Sequence, residues 1–213
     1  PATEGTILAS LGSAYQILLF DSYADNNYNG ILLMSDLRSD DIYKGGGDAG
    51  DQAALYSLSQ FNMSAAESLI GLWKIYFTGL ARCNNAIIAC ANAEGVKAEK
   101  LKQYNAEAHF LRAYYTHLLW KLFGNIPYFE EPLQSPYMTK QISADEVYAK
   151  IMADLEIACE EGALAMNTNM NDKGEADPDR GRVSRAAALM LKARVVMYQK
   201  DADKYAEVAN DMA

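Results

Sequence analysis

The sequence predicts a mainly α-helical chain of irregular helical hairpins joined by long irregular loops. Three observations point there: apolar residues recurring at three- and four-residue spacings, capping or glycine signals at segment ends, and no convincing period-two alternation. With 213 residues, 50% of them hydrophobic, the chain can bury a full core as one domain or carry most of a larger one.

The first predicted helix runs from Gly5 to about Tyr23, with Leu8, Leu11, Tyr15, Leu18 and Leu19 facing inward. Then comes turn-rich ADNNYNG, followed by SDLRSDDIYKGGGDAGD, which has acids, one arginine, three successive glycines and no helical period. The irregular stretch from Asp36 to Phe61 is the longest, and long loops in compact domains often carry function. Ser64 and Glu67 form a capping-box pattern ahead of Leu69, Leu72, Trp73, Tyr76, Phe77, Leu80, Ile87 and Ile88. Glu94-Gly95 breaks that helix, and a second begins near Lys97, so the two should pair as an antiparallel hairpin.

This second helix organises the rest. Ala108, Leu111, Tyr115, Leu118, Leu119 and Leu122 line one side, and Gly124 followed by Pro127 ends it. Phe129 to Gln141, with Pro132 and Pro136, should be extended. Ser143 and Glu146 repeat the capping-box spacing and open a helix through Val147, Ile151, Leu155 and Ala158 that ends near Gly162. The polar loop NTNMNDKGEADPDRGR follows, and Ser184 caps a helix containing Leu189, Leu191, Val195 and Tyr198. A break at Asp201–Asp203 introduces KYAEVANDMA, again with a helical pattern.

Composition excludes several functions. A net charge of −9 with 19 scattered Lys and Arg does not suit a phosphate backbone, so no nucleic acid is expected. No apolar run of about 18 residues is present to span a membrane, and the opening PATEG is neither basic nor an apolar signal core. Cys83, Cys90 and Cys159 lack CxxC spacing and read as buried apolar residues.

Chemistry-bearing motifs are scarce. His109 and His117 stand about 12 Å apart along one helix, too far to share a metal. Neither HExxH, GxSxG, a phosphate-binding GxxxxGK[ST] nor a GxGxxG after a strand occurs, so no cofactor, metal or catalytic residue is assigned. The acid pairs Asp40-Asp41, Glu130-Glu131 and Glu160-Glu161 read as solvated, and Lys173 spoils a calcium loop in NTNMNDKG. Sugar binding asks for less: aromatic faces for the apolar side of a pyranose, and polar groups for its hydroxyls. The irregular stretch offers Tyr43, Tyr56 and Phe61 beside Asp36, Arg38, Asp40, Asp41 and Gln52, which are the candidate glycan-binding residues. Trp73, Tyr76 and Trp120 lie in helices and read as packing residues.

Three segments also carry a family likeness. AEAHFLRAYY with LFGNIPY, GRVSRAAALMLKARVVMY, and LRSDDIY followed by the helix of Trp73, Tyr76, Asn84 and Asn85 resemble signatures of the SusD/RagB family. That family comprises outer-membrane glycan-binding lipoproteins of Bacteroidetes. The resemblance implies a tetratricopeptide-like helical fold, with residues 1–213 a single SusD-like domain lacking the C-terminal part of a longer protein. It also implies a surface-exposed outer-membrane protein without enzymatic activity, anchored by a lipidated cysteine outside the sequence given. Its expected partners are an oligosaccharide or polysaccharide and a SusC-like TonB-dependent transporter. The alternative is a helical-repeat scaffold that binds a peptide or protein. Glu107, Arg112, Arg182 and Arg194 match the signatures and are expected to tie helices together rather than touch ligand.

Overall fold

A computed structural model describes residues 1–20, 35–39, 41–64, 70–169 and 173–213. Its helices are α1 (Glu4–Gln16), α2 (Ala53–Ser59), α3 (Ile70–Ala91), α4 (Ala98–Phe123), α5 (Ala144–Cys159), α6 (Arg185–Gln199) and α7 (Tyr205–Asp211). The fold is helical, as the sequence predicts. Its contacts divide into two compact units, one of Pro1–Ala14 with Gly79–Ala213, the other Tyr15–Thr78.

In the larger unit α4 packs on α5, α5 on α6 and α6 on α7. Helix α4 starts after Gly95, at φ 70°, and stops at Gly124, at φ 69°. Left-handed turns of this kind favour glycine, so both ends are encoded locally. Leu111, Tyr115 and Leu119 are almost wholly buried, each contributing about 1.5–3 kcal/mol of apolar burial. Helix α3 approaches α4 closely at Gly79, where an added Cβ would lie 2.5 Å from the Tyr115 ring. The Tyr115 hydroxyl donates to the Ala14 carbonyl at 2.8 Å.

Between α4 and α5, β1 (Ile126–Pro127) and β2 (Gln141–Ile142) form a two-residue antiparallel ladder that closes the 128–140 connection. Helix α5 has the full capping box: Ser143 Oγ accepts from Glu146 N, while Glu146 Oε2 accepts from Ser143 N. Ser184 caps α6 by accepting from Ala187 N. Lys192 of α6 is buried and donates to Glu207 at 2.5 Å and Asp211 at 3.0 Å, which fastens α7.

Two expectations need correction. The inner face of the first helix is Ile7, Leu11, Ala14 and Ile17, whereas Leu8, Leu18 and Leu19 are exposed. After Gln16 the backbone tightens into a 3-10 turn, Ile17–Phe20; about 120° per residue replaces 100° there, and the leucine pattern loses phase. The stretch Asp36–Phe61 is also not irregular throughout, because α2 lies within it and buries Leu55 and Leu58. Asp21–Tyr23, the expected end of the first helix, and the Glu67 half of the first capping box lie outside the described residues.

Candidate functional site

Of the sequence-derived residues, Asp36, Arg38 and Asp41 lie exposed in a turn anchored by buried Leu37. Ser39 holds that turn: its N–H and Oγ donate to the Asp36 carbonyl, and its Oγ accepts from Asp41 N. Asp40 lies outside the described residues. Tyr43 is 86% exposed and Phe61 77%, while Tyr56 projects from α2 at 39%.

The glycine loop between Tyr43 and α2 is folded on its own acids. Asp48 Oδ1 accepts from Gly50 N and Asp51 N, Asp51 Oδ2 accepts from Gly47 N, and Lys44 Nζ donates to the Asp48 carbonyl. Gly46, at φ 80°, sits where a Cβ would meet the Asp51 carboxylate, so the position favours glycine. This fold carries Lys44 Nζ to 6.0 Å from the Tyr56 ring centroid, which brings the Tyr43–Lys44 step up to α2. Gln52 precedes α2 at φ 55° and its carbonyl accepts from Leu55 N and Tyr56 N. Phe61 follows α2 at φ 53°. Exposed aromatic rings, with the acids Asp36 and Asp41 and the amide of Gln52 in the same stretch of sequence, are the side-chain types a neutral sugar needs.

The larger unit holds a second, different assembly that sequence reasoning did not find. Asp154 of α5 grips Arg112 of α4 through two bonds, Nε to Oδ2 at 2.9 Å and Nη2 to Oδ1 at 2.7 Å. His109 Nδ1 donates to the same carboxylate at 2.7 Å. Arg112 Nη1 donates to Asn84 Oδ1 at 3.0 Å, and Asn84 Nδ2 donates to the Phe129 carbonyl at 2.8 Å. All four side chains are buried. Burial disfavours the Arg112 charge, but the bonds and charge of Asp154 outweigh it and hold the pKa above its usual value. Glu107, fully buried, is paired with Arg182 at 2.7 Å. As expected, these charges are structural: Arg112 ties α4 to α5 and Arg182 ties the turn before α6 to α4, while Arg194 is exposed.

That network fixes one wall of a cleft of about 250 Å³, lined by Ala81, Asn84, Asn85, Phe129, Pro132, Leu133 and Tyr137. The three thiols are buried, and desolvation pushes Cys90 and Cys159 up to about 11 and Cys83 well above its ordinary value, so all stay protonated near neutrality. Of the acid pairs, Glu130 bonds Lys150 at 2.9 Å and Glu160 bonds Lys102 at 2.8 Å.

Residues 19–196 match a SusD-like family described as "Starch-binding associating with outer membrane". Surface glycan-binding protein A from Bacteroides fluxus is 81% identical over 100% of this chain, with a TM-score of 0.91. Surface glycan-binding protein A from Bacteroides thetaiotaomicron, in complex with laminarihexaose, is 30% identical over 97% of it, with a TM-score of 0.85. The namesake from Bacteroides uniformis is 28% identical over 96%, with a TM-score of 0.84. This chain spans 43%, 41% and 44% of the lengths of those three. No curated protein matches it. The match over most of the chain, which takes in all but the last two residues of the three signature segments, places it in a family: the chain belongs to the SusD-like proteins.

Proposed function

We propose that this chain is the helical part of a non-catalytic, cell-surface glycan-binding protein that passes an oligosaccharide to a SusC-like TonB-dependent transporter. The observation that carries this reading is the 81% identity, over the whole chain, to a surface glycan-binding protein. The exposed rings of Tyr43, Tyr56 and Phe61 support it chemically, with Asp36, Arg38, Asp41 and Gln52 as polar contacts and Asp40 from the sequence alone. Among the described residues no helix is long and apolar enough to cross a membrane.

Migration of the chain through gels containing soluble polysaccharides tests this. Retardation by at least one glycan, abolished by changing Tyr43 and Tyr56 to Ala, is the expected result. Silence across a broad panel would instead favour a peptide- or protein-binding scaffold.

A further inference from the structure

We propose that the cleft between the Asn84-Asn85 step of α3 and the 129–137 connection is a second carbohydrate site, taking one neutral pyranose ring. The proposal rests on the glycan-binding reading but concerns residues that reading does not use.

None of the seven lining residues carries a charge, which favours a neutral ligand over an anion or a charged peptide. At about 250 Å³ the cleft lies just below the roughly 300–1,000 Å³ typical of small-molecule pockets, so it suits one ring of a longer chain. The two amides have different duties. Asn84 accepts from Arg112 and donates to the Phe129 carbonyl, so it holds the wall. The exposed Asn85 side chain makes no hydrogen bond among the described residues, leaving an NH2 donor and a carbonyl acceptor for vicinal hydroxyls.

Tyr137, which lines the same cleft, is 72% exposed and sits at φ 59°. A bulky residue in the left-handed region is strained, and such strain concentrates at ligand sites. Its ring, with Pro132 and Leu133, gives the apolar surface on which the C–H face of a sugar packs. The wall itself is fixed before binding through Asn84, Arg112 and Asp154, which lowers the ordering cost of occupancy.

The test titrates the 213-residue chain with laminarihexaose and with each polysaccharide that retards it, comparing wild type, Asn85→Ala, Tyr137→Ala and Tyr137→Phe. Both alanine variants should bind about fivefold more weakly, as for one lost hydrogen bond or stacked ring. Tyr137→Phe should bind like wild type, and unchanged melting temperatures would exclude unfolding. In NMR spectra the Asn85 side-chain amide signals should shift with ligand. Unchanged affinity in both alanine variants, with binding still lost in Tyr43→Ala/Tyr56→Ala, would overturn the second site and leave the glycan reading standing. Failure of the wild-type chain to bind any glycan would overturn both.

Discussion

Charge is handled in opposite ways by the core around α4 and the stretch from Asp36 to Phe61. Around α4, Glu107, Arg112, Asp154 and Lys192 are buried and each is bonded to an opposite charge. In the other stretch Asp48 and Asp51 are exposed and bond to backbone N–H groups a few residues away, folding the loop locally. A buried charge without its partner costs several kcal/mol, whereas an exposed one costs little to lose. The first region is therefore committed to holding helices together, and the second is free to meet a ligand.

Removing Asp154 tests this contrast most severely. Asp154→Ala leaves Arg112 and His109 buried without their shared acceptor, and should lose about 3–5 kcal/mol in denaturant unfolding. A loss under about 1 kcal/mol would mean that water reaches the site.

The next effect is one of pH. His117 is buried, its Nδ1 donates to the Tyr114 carbonyl at 3.1 Å, and its Nε2 has no partner among the described residues. Desolvation lowers its pKa to about 4 from an ordinary 6.5. Between those values the unfolded chain binds more protons, so stability is lost as pH falls from about 6.5 to about 4 and is unaffected by this group above that window. The group's total contribution is about 3 kcal/mol. His117→Leu should flatten that part of the stability–pH curve; an unaltered slope would place the acid sensitivity elsewhere.

A smaller cost is expected at Gly79. Gly79→Ala pushes a methyl group to 2.5 Å from the Tyr115 ring and should cost about 1–3 kcal/mol through overpacking. No change in melting temperature would show that α3 can slide on α4.

These contrasts also explain what was legible in the sequence. The ends of α4, the Ser143–Glu146 box and the Ser184 cap are readable because each depends on residues within one turn. The exposure of Tyr43 follows from its place in a polar segment without helical period. Helix α2 escaped because its start depends on Gln52 in a left-handed conformation, which no local pattern signals. The Arg112–Asp154 pair and the cleft of Asn85 and Tyr137 were out of reach for a different reason: each joins segments far apart in sequence, and only packing brings them together. Sequence did supply the roles of Glu107, Arg112 and Arg182 as scaffold, but only through family likeness, without their partners.

The most direct measurement follows glycan retardation and the thermal melt of one protein, Tyr43→Ala/Tyr56→Ala. Tyr43 is 86% exposed and Tyr56 39%, so stability should fall by no more than about 1 kcal/mol while retardation by any glycan that retards wild type disappears. A variant that melts early, or one that still binds as wild type does, would contradict the division between a charged core that holds the fold and an exposed loop that meets the sugar.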